Sequence, residues 1–124
     1  MCSIKDLKDL SITLNLVDEN LLTLQLDGFL DLYNSDLFEH NIGSVLNDWD
    51  VNIALDCKGL KYVNSTGFLV LVKVQNKLKE KGKNLYLVDM PEKILEKLDI
   101  VGISRFFHHA KTVIDVMNDL SSQK

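Results

Sequence analysis

The spacing of apolar residues changes repeatedly along this 124-residue chain, and those changes constrain its fold more than any other feature. In residues 12–16 and again in residues 22–26, leucine or isoleucine alternates with other residues, and the turn-forming letters DEN lie between the two runs. Alternation with a period of two is typical of strands that bury one face. The pattern therefore predicts an antiparallel β-hairpin near the start of the chain.

Downstream of this hairpin, segments with helical spacing alternate with short apolar runs. Helices are predicted over residues 35–47, 66–81, 91–98 and 111–120. The runs at residues 51–57 and 84–90, with a brief one near residues 105–108, are typical of buried strands. Strands that alternate with helices form parallel pairs. The sequence therefore predicts an α/β fold with a mixed, mostly parallel sheet, an N-terminal antiparallel hairpin and about four helices.

Finer features are predicted within these helices. Asn34, Ser35 and Asp36 are the candidate N-caps of the first helix, and Gly82 is expected just after the second. The apolar side of the terminal helix is expected to contain Val113, Ile114, Val116, Met117 and Leu120.

Length and composition fit one domain spanning residues 1–124, with a core over about residues 12–120. The net charge of -4, without a basic stripe, argues against nucleic-acid binding. No run approaches the roughly 20 apolar residues of a membrane span, and residues 1–10 do not resemble a signal peptide. With Cys2 and Cys57 as its two cysteines, the chain is expected to be cytoplasmic, and Cys57 to be a small core side chain.

The evidence for catalysis is weak. The three histidines are His40, His108 and His109, and the chain has neither a Gly-x-Ser-x-Gly elbow nor a glycine-rich phosphate loop. His108 and His109 are adjacent, so one helical face cannot present both to a metal, and a surface pair is expected. We therefore expect no enzymatic activity, no metal and no cofactor.

The stretch NSTG places two hydroxyl side chains, Ser65 and Thr66, between a predicted central strand and a predicted helix. Open α/β sheets place their binding sites at the carboxyl ends of such strands. Asn64 or Ser65 is suited to cap the helix. A phosphate carried by Ser65 would also be stabilised by the free N–H groups of the helix N-terminus. Both roles stay open at this point.

The sequence LDCKGLKYVNSTGFLVLVKVQNKLKEKGKNLYLV, residues 55–88, resembles the signature of the STAS domain (sulfate transporter and anti-sigma factor antagonist). The resemblance is to bacterial anti-sigma factor antagonists in particular. The matching positions are Asp56, Leu60, Ser65, Thr66 and Gly67. Upstream, LDGFLDLYNSDLF is similar to the family's segment before its first helix, and places Asp31 at the family's acidic position near the phosphorylation site. The resemblance covers about residues 12–120.

This resemblance implies that Ser65 is phosphorylated by a GHKL-type kinase that is also an anti-sigma factor, and that a phosphatase reverses the reaction. The unphosphorylated form would bind the kinase, and phosphorylation would release it. Two departures stand out: Asn64 replaces the family's usual Asp, and Phe68 and Leu69 replace a common Leu-Gly pair. At least one of those two apolar residues is expected to be partly exposed and to form a docking patch with Ser65.

The expected site loop therefore consists of the phosphoacceptor and its neighbours, Ser65, Asp31, Asn64, Thr66, Gly67, Phe68 and Leu69. The leading hypothesis is a phospho-switch that acts in transcription regulation by binding a protein partner. An alternative is a STAS module that never carries phosphate and serves as an interaction or scaffold subunit of a transport or signalling assembly. A nucleotide-binding or enzymatic role is a third hypothesis.

Overall fold

The computed structural model describes residues 2–7, for which only the backbone is described, and residues 9–122. The side chain of Cys2 thus lies outside the described part. The strands are β1 (Cys2–Leu7), β2 (Leu10–Asp18), β3 (Leu21–Leu30), β4 (Asn52–Val63), β5 (Leu85–Val88) and β6 (His108–Ala110). The helices are α1 (Ser35–Asp48), α2 (Ser65–Glu80), α3 (Glu92–Val101) and α4 (Val113–Ser122), with a 3-10 turn at Ser104–Phe106.

The described strands form one sheet in the order β1-β2-β3-β4-β5-β6. The pairs β1–β2 and β2–β3 are antiparallel, whereas β3–β4, β4–β5 and β5–β6 are parallel. This confirms the predicted α/β fold with a mixed sheet and an antiparallel hairpin. Strand β1 was not predicted. It forms the edge of the sheet beside β2, with Lys5 opposite Ile12 in the register.

Alternate residues of the central strands face two different hydrophobic clusters. In β5, Leu85 and Leu87 belong to the cluster that contains the buried residues of α1, α2 and α3. Tyr86 and Val88, between and after them, belong to the cluster that contains Val116 of α4. Because successive side chains of a strand point to opposite faces, α1–α3 cover one face of the sheet and α4 covers the other.

The second helix ends as predicted. Gly82 follows the last turn of α2 and adopts a φ of 73°, which favours glycine, and its N–H donates to the carbonyl of Lys79 (3.0 Å). Among the described helices, none combines the length and hydropathy needed to cross a lipid bilayer.

Two predictions near the end of the chain were wrong in detail. The last strand begins at His108, because residues 104–106 form the 3-10 turn and the buried Phe107 comes between turn and strand. In α4, Ile114 and Met117 are exposed (68% and 38%), although they were expected on the apolar side. The helix meets the sheet mainly through Val116, so its buried stripe is narrower than the sequence indicates.

Candidate functional site

Strands β3 and β4 end side by side, and this places two loops against each other. The parallel register extends to the pair Leu30 and Val63, the last residues of the two strands. The N–H of Asn64 then donates to the carbonyl of Leu30 (3.2 Å). Strand β4 is therefore longer than predicted. Asp31 follows the end of β3, and Asn64 and Ser65 follow the end of β4.

At the start of helix α2, Asn64 caps the helix and Ser65 does not. Asn64 is the N-cap, and its Oδ1 accepts a hydrogen bond from the N–H of Gly67 (3.0 Å). Ser65 is exposed, and its hydroxyl has no hydrogen-bond partner within the described residues. The N–H groups of Ser65 and Thr66 belong to the first turn, where helices have no internal acceptor. The cap therefore leaves both the Ser65 hydroxyl and a donor-rich helix end accessible.

Gly67 holds the start of α2 close to the sheet. A Cβ atom at this position would lie 2.7 Å from the carbonyl oxygen of Leu30 and 2.8 Å from Cγ1 of Val63. Both distances are shorter than non-bonded carbon contacts allow, so only glycine fits without displacing backbone. Gly67 is thus a structural requirement of this junction between helix and sheet.

Asn34 organises the loop that carries Asp31, and sequence reasoning considered it only as a helix cap. Its side chain is fully buried; Oδ1 accepts from the N–H of Asp31 (3.0 Å) and Nδ2 donates to the carbonyl of Phe29 (2.7 Å). The Asp31 carboxylate accepts from the N–H of Tyr33 (3.0 Å). The bond from Asp31 to Tyr33 is an Asx turn, and the Asp and Asn residues of this loop were the available signal for it.

The apolar residues after Gly67 divide between the core and the surface. Phe68 is buried (7% exposed) within the main cluster, so it cannot form part of an exposed docking patch in this arrangement. Leu69 is 54% exposed, which meets the expectation that at least one of the two is accessible. Leu32 and Tyr33, in the loop after β3, are also strongly exposed. The edge of the sheet around Ser65 thus presents large apolar side chains to solvent.

Among the residues that the structure describes, the histidines of β6 and the buried cysteine lie away from Ser65. His108 and His109 are exposed on β6, which is separated from β4 by β5. Cys57 is buried, and desolvation raises the pKa of its thiol far above the ordinary range, so it is an unreactive core side chain. In the part of the chain that the structure describes, no cluster of three or more His, Cys, Asp or Glu side chains could hold a metal ion. The arrangement is that of an exposed hydroxyl beside a helix N-terminus.

Comparison with known protein families identifies the fold. The model of the STAS domain matches residues 14–116, which include both loops and every strand from β3 to β6. The chain belongs to the STAS domain family. A search of curated protein sequences gave no significant match.

Several solved structures share this STAS fold. The anti-sigma factor antagonist SpoIIAA of Bacillus, in its unphosphorylated form, matches with a TM-score of 0.76 and 15% identity over 90% of this chain and 96% of that one. An anti-sigma factor antagonist from Mycobacterium paratuberculosis gives a TM-score of 0.73 and 19% identity, with 89% and 92% of the chains covered. The murine anion transporter Slc26a9 gives 0.74 and 15%, covering 83% of this chain and 18% of the transporter. At these identities, the comparisons establish the shared fold.

Proposed function

We propose that this STAS domain is a phospho-switch that binds a protein partner when Ser65 is unmodified and releases it when Ser65 is phosphorylated. The observation that carries the proposal lies at the start of α2: Asn64 supplies the cap, and the adjacent Ser65 hydroxyl is exposed, with no hydrogen-bond partner among the described residues. The partner is a kinase of the GHKL type that is also an anti-sigma factor, and a phosphatase restores the unmodified form. The domain itself is substrate and ligand, not an enzyme, and acts in the cytoplasm.

The charge of a phosphoryl group accounts for the proposed release. Phosphorylation adds about -1.5 to -2 charges at neutral pH. On Ser65, this charge would lie at the start of α2, in the surface that the partner would cover. A desolvated interface that accepts a neutral hydroxyl is destabilised by a doubly charged group. The helix N-terminus partly stabilises that charge in the free domain, which favours the released state.

The proposed partner surface is centred on the exposed residues Ser65 and Leu69. In this proposal Leu69 provides the apolar contact, Thr66 follows Ser65 in the first turn of α2, and Asp31 begins the neighbouring loop. Asn64 and Gly67 maintain the local geometry. Phe68 supports this surface from within the core.

The test is phosphorylation with purified candidate kinases and ATP, followed by phosphate mapping with mass spectrometry. Wild type and Thr66→Val should incorporate one phosphate, and Ser65→Ala none. Label that persists in Ser65→Ala would refute the site assignment. Binding of the same kinase should weaken at least about tenfold for the phosphorylated domain and for Ser65→Asp, the effect of an uncompensated charge in an interface.

A second candidate function is an interaction module that never carries phosphate, as a subunit of a transport or signalling assembly. Asn64 favours it, since this residue replaces the family's usual Asp, and the fold similarity to the anion transporter is compatible with it. A stable partner whose affinity is the same for wild type and Ser65→Asp would support this function over the switch.

A further inference from the structure

Helix α4 is the one described helix that packs on the second face of the sheet, opposite α1–α3. Val116 is its only fully buried side chain, and Val113 and Leu120 are half-buried against the same cluster. By contrast, α2 buries seven residues on the other face. Segments with few buried apolar contacts are those that open while the rest of a protein stays folded. The packing of α4 thus meets the condition for separate opening.

The sheet residues beneath α4 form a hydrophobic cluster of their own. Four buried residues of the strands belong to it, Leu21, Ala54, Tyr86 and Val88. None of the four belongs to the main cluster, in which the buried residues of α1, α2 and α3 pack on the opposite face. Opening of α4 would therefore expose these four side chains and leave the packing of α1–α3 on the sheet intact.

A hydrogen bond joins α4 to the sheet beside this apolar contact. The hydroxyl of Tyr86 donates to the carboxylate of Asp119, and Tyr86 itself is only 2% exposed. Asp119 follows Val116 by three residues, so both lie on one side of the helix. The hydrogen bond and the contact of Val116 with the sheet are therefore broken together when α4 opens.

We propose that α4 opens from the sheet as a cooperative unit while the rest of the domain stays folded, and that the Tyr86–Asp119 hydrogen bond limits how often it opens. The domain then has a second folded state, in which α4 is detached and an apolar face of the sheet is accessible. This conformational device goes beyond the proposed phospho-switch. Ala54, beneath α4, is the third residue of β4, whereas Ser65 follows the other end of that strand, so opening leaves the Ser65 edge in place.

Native-state hydrogen exchange tests the proposal, measured by NMR on the whole chain at urea concentrations below its unfolding transition. The amides of residues 117–120 are bonded within α4. They should share one protection factor, at least about tenfold below that of the β4 amides. Their protection should also fall less steeply with urea than that of β4, because opening of α4 exposes less surface than global unfolding.

Two tyrosine variants test the hydrogen bond. Tyr86→Phe removes the hydroxyl and keeps the ring, and should lower the protection of residues 117–120 about three- to tenfold, the net effect of one hydrogen bond. Tyr62→Phe removes the same group from an exposed tyrosine of β4 outside the cluster beneath α4, and should leave that protection unchanged. Circular dichroism spectra that match wild type establish that both variants are folded.

A core variant separates the opening of α4 from global unfolding. Val74 is fully buried in the main cluster, on the opposite face of the sheet. Val74→Ala removes two buried methyl groups and should lower the protection of the β4 amides at least about fivefold. It should leave residues 117–120 within about twofold of wild type, because the contacts of Val74 persist when α4 is open. Tyr86→Phe should lower the protection of both segments, since global unfolding also breaks its hydrogen bond.

Four results would overturn the proposal. Equal protection and equal urea dependence in α4 and β4, or an equal loss in both for Val74→Ala, would mean that α4 opens only when the whole domain unfolds. Protection that decreases gradually along α4 without dependence on urea would mean fraying of the helix end. Unchanged protection of residues 117–120 in Tyr86→Phe would show that the hydrogen bond does not control the opening.

Discussion

Replacing Gly67 with alanine tests the close approach of α2 to the sheet. The new Cβ would lie 2.7 Å from the Leu30 carbonyl oxygen and 2.8 Å from Cγ1 of Val63. Backbone must therefore move, and overpacking of this kind typically costs about 1–3 kcal/mol. The better helix propensity of alanine offsets at most about 1 kcal/mol of this cost. We expect a net loss of about 1–2 kcal/mol in the free energy of unfolding.

Gly43 supplies the matched control, because it is a glycine inside α1 with free space around it. A Cβ there would meet only the flexible end of Lys77, at 3.6 Å. Gly43→Ala should therefore stabilise the protein by about 0.5–1 kcal/mol, the ordinary gain of this substitution in a helix. The same chemical change is thus expected to have opposite signs in the two helices.

Urea unfolding followed by far-UV circular dichroism measures both effects. The midpoint should fall for Gly67→Ala and rise for Gly43→Ala, with the same dependence of free energy on urea as in wild type. If Gly67→Ala were as stable as wild type or more stable, the close approach would not restrict this position, and the structural role assigned to Gly67 would be wrong.

Three further predictions concern Asn64, Asn34 and Cys57. Asn64→Ala should lose about 1 kcal/mol through loss of the cap, and Asn64→Asp, which can still cap, should stay within about 0.5 kcal/mol of wild type in urea unfolding; equal losses would contradict the capping role. Asn34→Ala should lose about 2 kcal/mol, since it removes two buried hydrogen bonds, and should accelerate hydrogen exchange at the Asp31 amide; unchanged exchange would refute its role in that loop. Burial raises the pKa of the Cys57 thiol above the pKa of about 8.5 that a thiol has in the unfolded chain. The neutral thiol's contribution to the free energy of unfolding is therefore complete below about pH 8.5 and decreases as the pH rises further. Between pH 8 and 9.5, the free energy of unfolding should therefore fall by about 1 kcal/mol more in wild type than in Cys57→Ala, and parallel curves would contradict the assignment.

The sequence predicts the central strands and the long helices because their apolar spacing is set by burial against one core. Strand β5 and helix α2 both lie in the main hydrophobic cluster, and both were predicted. Strand β1 was missed because it forms the edge of the sheet and its pairing depends on β2, which a local pattern does not show. The position of β6 depends on its parallel pairing with β5, in which Tyr86 is opposite His108. This pairing is also long-range, so a local pattern does not show it.

At the site, sequence reasoning identified the residue types but not their division between surface and core. Phe68 and Leu69 are adjacent apolar residues, and only the contact of α2 with the sheet determines that Phe68 is buried and Leu69 exposed. Asn34 was considered only as a cap, because its hydrogen bonds to Phe29 and Asp31 depend on the fold of the loop.

Leu30 connects the two loops, and this has a consequence for the kinetics of the proposed partner binding. Its carbonyl accepts the N–H of Asn64, and it bounds the space above Gly67, while the loop that carries Asp31 begins at the next residue. The two loops therefore have a fixed spacing before any partner arrives. A partner would meet a preorganised surface and lose little conformational entropy there. Association should then proceed by rigid docking, and affinity changes at this edge should be expressed mainly in the dissociation rate.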